Sequence, residues 1–252
     1  MTLYELFGWL SAVLMLVPIC LLIYFKLAFY RSFPALVGYF FVAFSCNLLL
    51  LDLPDAGLRS LAAQDAIYNI LSLPLIIIFI SYFARNINIR LKILVTATII
   101  IAFQVAIVLL KGFTLGAYRM LMVPALLMAF CMGCYYFAHQ VKLTVIYQKA
   151  LGKAILATSM FFATIGIGFI YAVRHYIHPS YRADTDIIQF MVGIVVAVSA
   201  SIGILLERRR VQQLEELRIA REELREIYGQ ETEKATGPFG SIAFHFENES
   251  WN

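Results

Sequence analysis

Apolar and polar positions in this chain are segregated into long blocks rather than interleaved with a helical or strand period. Seven apolar runs fill most of the first 206 residues: Leu6–Phe25, Ala35–Asp52, Ile67–Ala84, Leu91–Leu110, Ala117–Ala138, Ala150–Val173 and Ile187–Leu206. A hydrocarbon core of about 30 Å needs roughly 20 apolar residues of helix. Each run approaches or exceeds that length, and the charges cluster at the run ends. A helix of a soluble protein would keep a polar face toward water; here that face is missing over whole segments. The prediction is an all-α polytopic membrane protein, a seven-transmembrane-helix bundle over residues 1–206.

The pattern changes abruptly after the last run. The segment ERRRVQQLEELRIAREELREIY mixes both charges with apolar positions at helical spacing. Leu214, Leu217, Leu224 and Tyr228 fit the a and d positions of a coiled-coil seam, interrupted by Arg221. This juxtamembrane helix is assigned to residues 207–229, with Gly229 as its stop. It reads either as a partner helix or as a solvated stalk. Residues 230–252 read as a flexible tail, in which Ile242, Phe244 and Phe246 alternate and fit a strand or a docking peptide.

Loop charge sets the predicted orientation. Loops one, three and five carry Lys26, Arg31, Arg85, Arg90, Lys92, Lys142, Lys149 and Lys153 and no acid. The acids before residue 207 are Glu5, Asp52, Asp55, Asp65, Asp184 and Asp186, all on the other side. Basic loops favour the cytoplasm, so the N-terminus is expected outside and the C-terminal helix inside. Arg208, Arg209 and Arg210 reinforce that bias against five basic residues on the outer face. Glu5 stands where a cleaved leader would carry a basic region, so the first run is expected to be a retained helix.

Composition agrees: 62% of residues are hydrophobic and 14% charged, outside the soluble-domain balance. The net charge of +4 lies along the inner face, where it suits anionic lipid headgroups rather than nucleic acid. Membrane lipids are the one partner the composition itself requires. Pro18, Pro74 and Pro124 fall inside spans, as membrane helices tolerate. Gly193, Ala197, Ser201, Ser199, Gly203, Gly166 and Gly168 supply small faces for close helix packing, with a homodimer seam as the alternative use.

Few chemistries survive inspection. The span centres hold no ionisable residue, which removes the usual equipment of proton-coupled transport and voltage sensing. The last span has no lysine for a retinal Schiff base. No HExxH motif, aspartate pair or serine–histidine pair supports intramembrane proteolysis. Cys131 and Cys134 form a CxxC, but within a span they read as small packing residues. Asn47 and Gln104 are the most polar central side chains, and interhelical hydrogen bonds are expected for both. His175 and His178 share one helical side, and with Asp184 or Asp186 they form a weak candidate metal site. No cofactor is expected, and no nucleophile or metal set supports an enzyme of lipid or quinone.

The better candidate lies at the outer rim. Asp52 closes the second span, Asp65 and Asn69 open the third, Arg119 enters the fifth and Arg174 leaves the sixth. Together they fit an outward-facing cleft for a polar or charged small molecule; mutual salt bridging is the alternative. The bundle and the helix Glu207–Tyr228 resemble, in architecture only, the seven-span sensor regions ahead of bacterial histidine kinases and cyclases. The chain is also similar to uncharacterised bacterial seven-span proteins. The first resemblance implies a sensor or scaffolding module of the bacterial inner membrane, relaying a signal to a cytoplasmic regulatory protein through residues 207–252. It departs in that no output domain is expected after the helix. A small transporter or channel subunit for a neutral or lipid-like solute is the competing expectation.

Overall fold

The computed structural model describes residues 3–30, 32–52, 58–84, 86–112, 115–147, 151–176 and 182–234. All described elements are helical. They are α1 (Leu3–Tyr24), α2 (Phe33–Asp52), α3 (Leu58–Ile80), α4 (Ile87–Lys111), α5 (Leu115–Tyr147), α6 (Leu151–Tyr176) and α7 (Arg182–Lys234), with a 3-10 turn, Ser81–Phe83, after α3. Pro18, Pro74 and Pro124 lie inside α1, α3 and α5.

Among the described residues, six helices are long and apolar enough to cross a membrane: α1, α2, α4, α5, α6 and α7. These are the helices of a multi-pass membrane protein. The remaining helix, α3, is 23 residues long, and among the described residues its apolar stretch is Ile67–Phe83. It packs against α2, α4, α5 and α6. Leu73, Ile76, Ile77, Phe79 and Ile80 are all buried there. A helix surrounded by protein does not need the uniform hydropathy that lipid imposes on a peripheral one.

The membrane helices sort their residues by face. In α7, Val196, Ala197, Ala200 and Ile204 are buried, whereas Met191, Val195, Val198 and Ile202 are exposed at the same three- and four-residue spacing. An apolar stripe on each side is what a helix between protein and lipid requires. Lipid is as apolar as leucine, so association rests on close packing rather than on removal from water. The small residues serve that purpose within the chain. A Cβ added at Gly166 would lie 2.4 Å from Val192, and one at Gly203 would lie 2.8 Å from Leu156.

Helix ends are set by local hydrogen bonding. At the end of α1, Lys26 donates to the Ile23 carbonyl (3.0 Å) and Leu27 to the Leu22 carbonyl (2.9 Å). Lys26 itself takes a left-handed φ of 57°. This is a Schellman closure with lysine where glycine is usual, and the buried pair Leu22 and Leu27 seals it. Asn86 caps α4, its side chain accepting from the Asn88 N–H at 2.9 Å.

Two expectations about packing are corrected. Cys131 and Cys134 are exposed, as is Cys20, and only Cys46 is buried. The face of α5 turned into the bundle carries Ala125, Ala129 and Tyr136; the CxxC lies on the far side of that helix. Gln104 is buried, yet neither atom of its amide has a hydrogen-bond partner among the described residues. Asn47 does form its interhelical bond, to Ser11 Oγ at 2.9 Å.

The chain divides into two compact units, Met1–Glu207 and Arg208–Asn252. In the second, helix α7 continues to Lys234 and passes Gly229, the expected stop. A helical glycine costs only about 1 kcal/mol relative to alanine, too little by itself to end a helix. Ile242, Phe244 and Phe246 lie outside the described residues.

Candidate functional site

Within the first unit, α1, α2, α3, α6 and α7 enclose a cavity of about 30 Å³. Its wall is built from helical stripes. In α6 the lining residues are Ala163, Ile167, Ile170, Tyr171 and Arg174; in α7 they are Gln189, Val192, Gly193 and Val196. Both sets recur at three- and four-residue intervals, so each forms one continuous strip down its helix. Met15 enters from α1, Tyr39 and Asn47 from α2, and Tyr68 and Asn69 from α3. That volume holds about two water molecules.

The cavity is closed at one end by charge. Arg174, near the end of α6, donates from Nη2 to Asp186 Oδ1 in the first turns of α7, and the two form a salt bridge. The same nitrogen donates to Gln189 Oε1 at 2.8 Å. The two charged side chains are only 9% and 12% exposed. Burial of this kind is tolerated because the charges compensate each other and the Gln189 oxygen accepts a further hydrogen bond.

At greater depth the polar groups are neutral. Asn47 Nδ2 donates to Ser11 Oγ and contacts the Met15 sulfur at 3.3 Å. The Tyr39 and Tyr68 hydroxyls share a hydrogen bond. Gly193 packs against this node. A Cβ there would stand 2.5 Å from Met15 Cε and 2.9 Å from Ser11 Oγ, so glycine lets α7 approach α1. Tyr4 secures the first turn of α1, donating to the Leu50 carbonyl at 3.0 Å and meeting Phe190 edge-on.

Of the outer-rim residues expected from the sequence, Asn69 and Arg174 meet at this cavity. The side chains of Asp52, Asp65 and Arg119 lie outside the described residues, as do the His175 side chain and all of His178. No group of histidine, cysteine or acidic side chains that could hold a metal occurs among the described residues. Leu217 and Leu224 are exposed, and the side chains of Leu214 and Tyr228 lie outside the described residues.

Sequence reasoning missed Tyr39, Tyr68, Tyr171 and Gln189, and read Asp186 as an outer-face charge and a candidate metal ligand rather than as part of this cavity. A signal was present. Asp186, Gln189 and Gly193 fall on one face of α7 at intervals of three and four, and Tyr171 and Arg174 do the same in α6. Polar residues that repeat on one face of an apolar helix point into the bundle.

The arrangement can orient a small hydrogen-bonding molecule, supplying phenols, amides and a guanidinium whose charge is already balanced. No protein-family model, curated protein or solved structure matches this chain.

Proposed function

We propose that this protein is a multi-pass sensor or receptor-like module in which α7 carries a change at the cavity to its charged segment and a cytoplasmic partner. The observation that supports this reading is the double use of one helix. Asp186 and Gln189 of α7 bind Arg174, Val192, Gly193 and Val196 line the cavity, and the same helix runs on to Lys234. In this reading α3 is a seventh crossing, the cavity end faces outward, and the charged segment lies in the cytoplasm of a bacterial-type cell. The cavity holds only water in its present shape. A larger ligand enters by parting Arg174 from Asp186, and the energy of that separation couples binding to movement of α7.

A small transporter for a neutral solute has one observation in its favour. The charge inside the cavity is balanced within the protein, so an uncharged molecule enters without disturbing it. Truncation separates the two readings. The full-length chain and a chain ending at Arg210 are purified from native membranes by the same N-terminal tag. A sensor predicts a cytoplasmic protein bound to the first and absent from the second. Identical captures would reduce the charged segment to a stalk and leave solute transport as the reading.

A further inference from the structure

At the other end of the first unit, away from the cavity, a carboxylate is buried where the sequence suggests a solvated one. Glu207 is followed by three arginines, yet only 1% of its surface is exposed. Its Oε1 accepts a 2.6 Å hydrogen bond from the Tyr82 hydroxyl in the 3-10 turn after α3. The turn is itself held in place. Tyr82 packs edge-on against Phe33 (5.0 Å between ring centres) and Phe83 (5.6 Å), and stacks on Phe79 (6.1 Å). Ser81 shares a 3.0 Å hydrogen bond with Ser32.

The first turn of α6 completes the arrangement. A Cβ on Gly152 would lie 2.7 Å from the Glu207 backbone nitrogen and 3.0 Å from its Oε2. The carboxylate therefore rests against the N-terminal turn of α6, where the helix dipole favours negative charge. Lys153 Nζ lies 4.9 Å from the centre of the Tyr82 ring, adding a cation above the phenol that holds the carboxylate. One side chain of α7 thus joins the turn after α3 to the start of α6.

We propose that Glu207 is a latch: its bond to Tyr82 and its seat on Gly152 hold the end of α7's apolar segment closed against α6, and loss of either opens that seam. Loss of the Tyr82 hydroxyl takes a hydrogen-bond donor from a buried carboxylate, which raises the cost of keeping that charge out of water. The geometry serves regulation because the contacts with Tyr82 and Gly152 converge on the last residue of the first unit. The neighbouring contact, the Leu156 side chain on Gly203, is apolar. This inference uses no residue of the cavity and stands whether the protein senses or transports.

The test is a thiol placed behind the latch. Leu156 is fully buried, one turn into α6 from Gly152. A full-length L156C reporter is made with Cys20, Cys46, Cys131 and Cys134 replaced by alanine, and reconstituted in vesicles. Reaction with N-ethylmaleimide is then followed with and without Tyr82→Phe, Glu207→Gln or Gly152→Ala. Tyr82→Phe removes one oxygen and leaves the ring packing intact, so it remains informative if Glu207→Gln does not fold. Gly152→Ala opens the seam sterically, with both bonding partners present. Labelling about tenfold faster in Tyr82→Phe and in Gly152→Ala is the expected result, as for any local opening of a few percent or more over a tightly closed state. Rates within about twofold of the reporter alone in both variants would overturn the latch.

Discussion

Removing half of a buried ion pair is worse than removing all of it, because the remaining charge keeps its desolvation cost without its partner. Arg174 and Asp186 meet that condition, with side chains 9% and 12% exposed. Arg174→Gln or Asp186→Asn alone should each lower stability by about 3 kcal/mol, whereas Arg174→Met with Asp186→Leu should cost much less than the sum. Thermal unfolding of the four proteins in one detergent provides the comparison; additive losses would mean that the two side chains do not act as a pair. Arg174 and Asn69 were legible in the sequence because polar residues near the ends of apolar runs stand out. Tyr39, Tyr68 and Tyr171 were not, since tyrosine passes as an apolar residue until its neighbours show which way it faces. Glu207 was hidden for the opposite reason: beside three arginines a glutamate reads as solvated, and the room for it is made by Gly152, 55 positions earlier in the chain.

Elements were more legible than side chains. Each of the seven apolar runs falls in a helix, and among the described residues six of these helices are long and apolar enough to cross a membrane, because a run without a polar face has few alternatives in lipid. Helix α3 spans Leu58–Ile80. Its N-terminal part carries Arg59, Gln64 and Asp65, and its apolar part is Ile67–Phe83. Packed against four other helices, it can bring polar residues such as Asn69 to depths that a lipid-facing helix avoids. The number of crossings has a direct consequence for the termini. If α3 crosses, a reporter active only in the cytoplasm and fused after Asn252 should be active, and the same reporter fused before Met1 silent. Activity at both ends would return α3 to a buried helix that enters and leaves on one side. Gly229 teaches the complementary point. A residue that weakens a helix locally does not end it when the flanking sequence is strongly helix-forming, and α7 runs on to Lys234.

At the scale of the molecule, the two polar closures of α7 lie at opposite ends of its apolar segment. Asp186 and Gln189 fasten it to Arg174, and Glu207 fastens it to Tyr82 and Gly152. Between them the contacts are apolar or small: Val192 on Gly166, Gly193 on Met15, and Leu156 on Gly203. The Ser159 hydroxyl donates to the Val196 carbonyl at 3.1 Å. A rod held at its ends and smooth between them transmits a shift more readily than one bonded along its length, since little directional bonding must be broken in the middle. The sensor reading therefore carries a quantitative demand. Arg174→Gln releases only the cavity end, yet it should speed maleimide labelling of the L156C reporter by about fivefold or more, an allosteric coupling of about 1 kcal/mol. Hydrogen exchange across residues 199–207 supplies a second readout that requires no engineered thiol. If Arg174→Gln loosens the cavity end while both measurements at the Glu207 end stay at their starting values, the ends are independent. The relay through α7 then fails, and the latch is left as a separate property of the bundle.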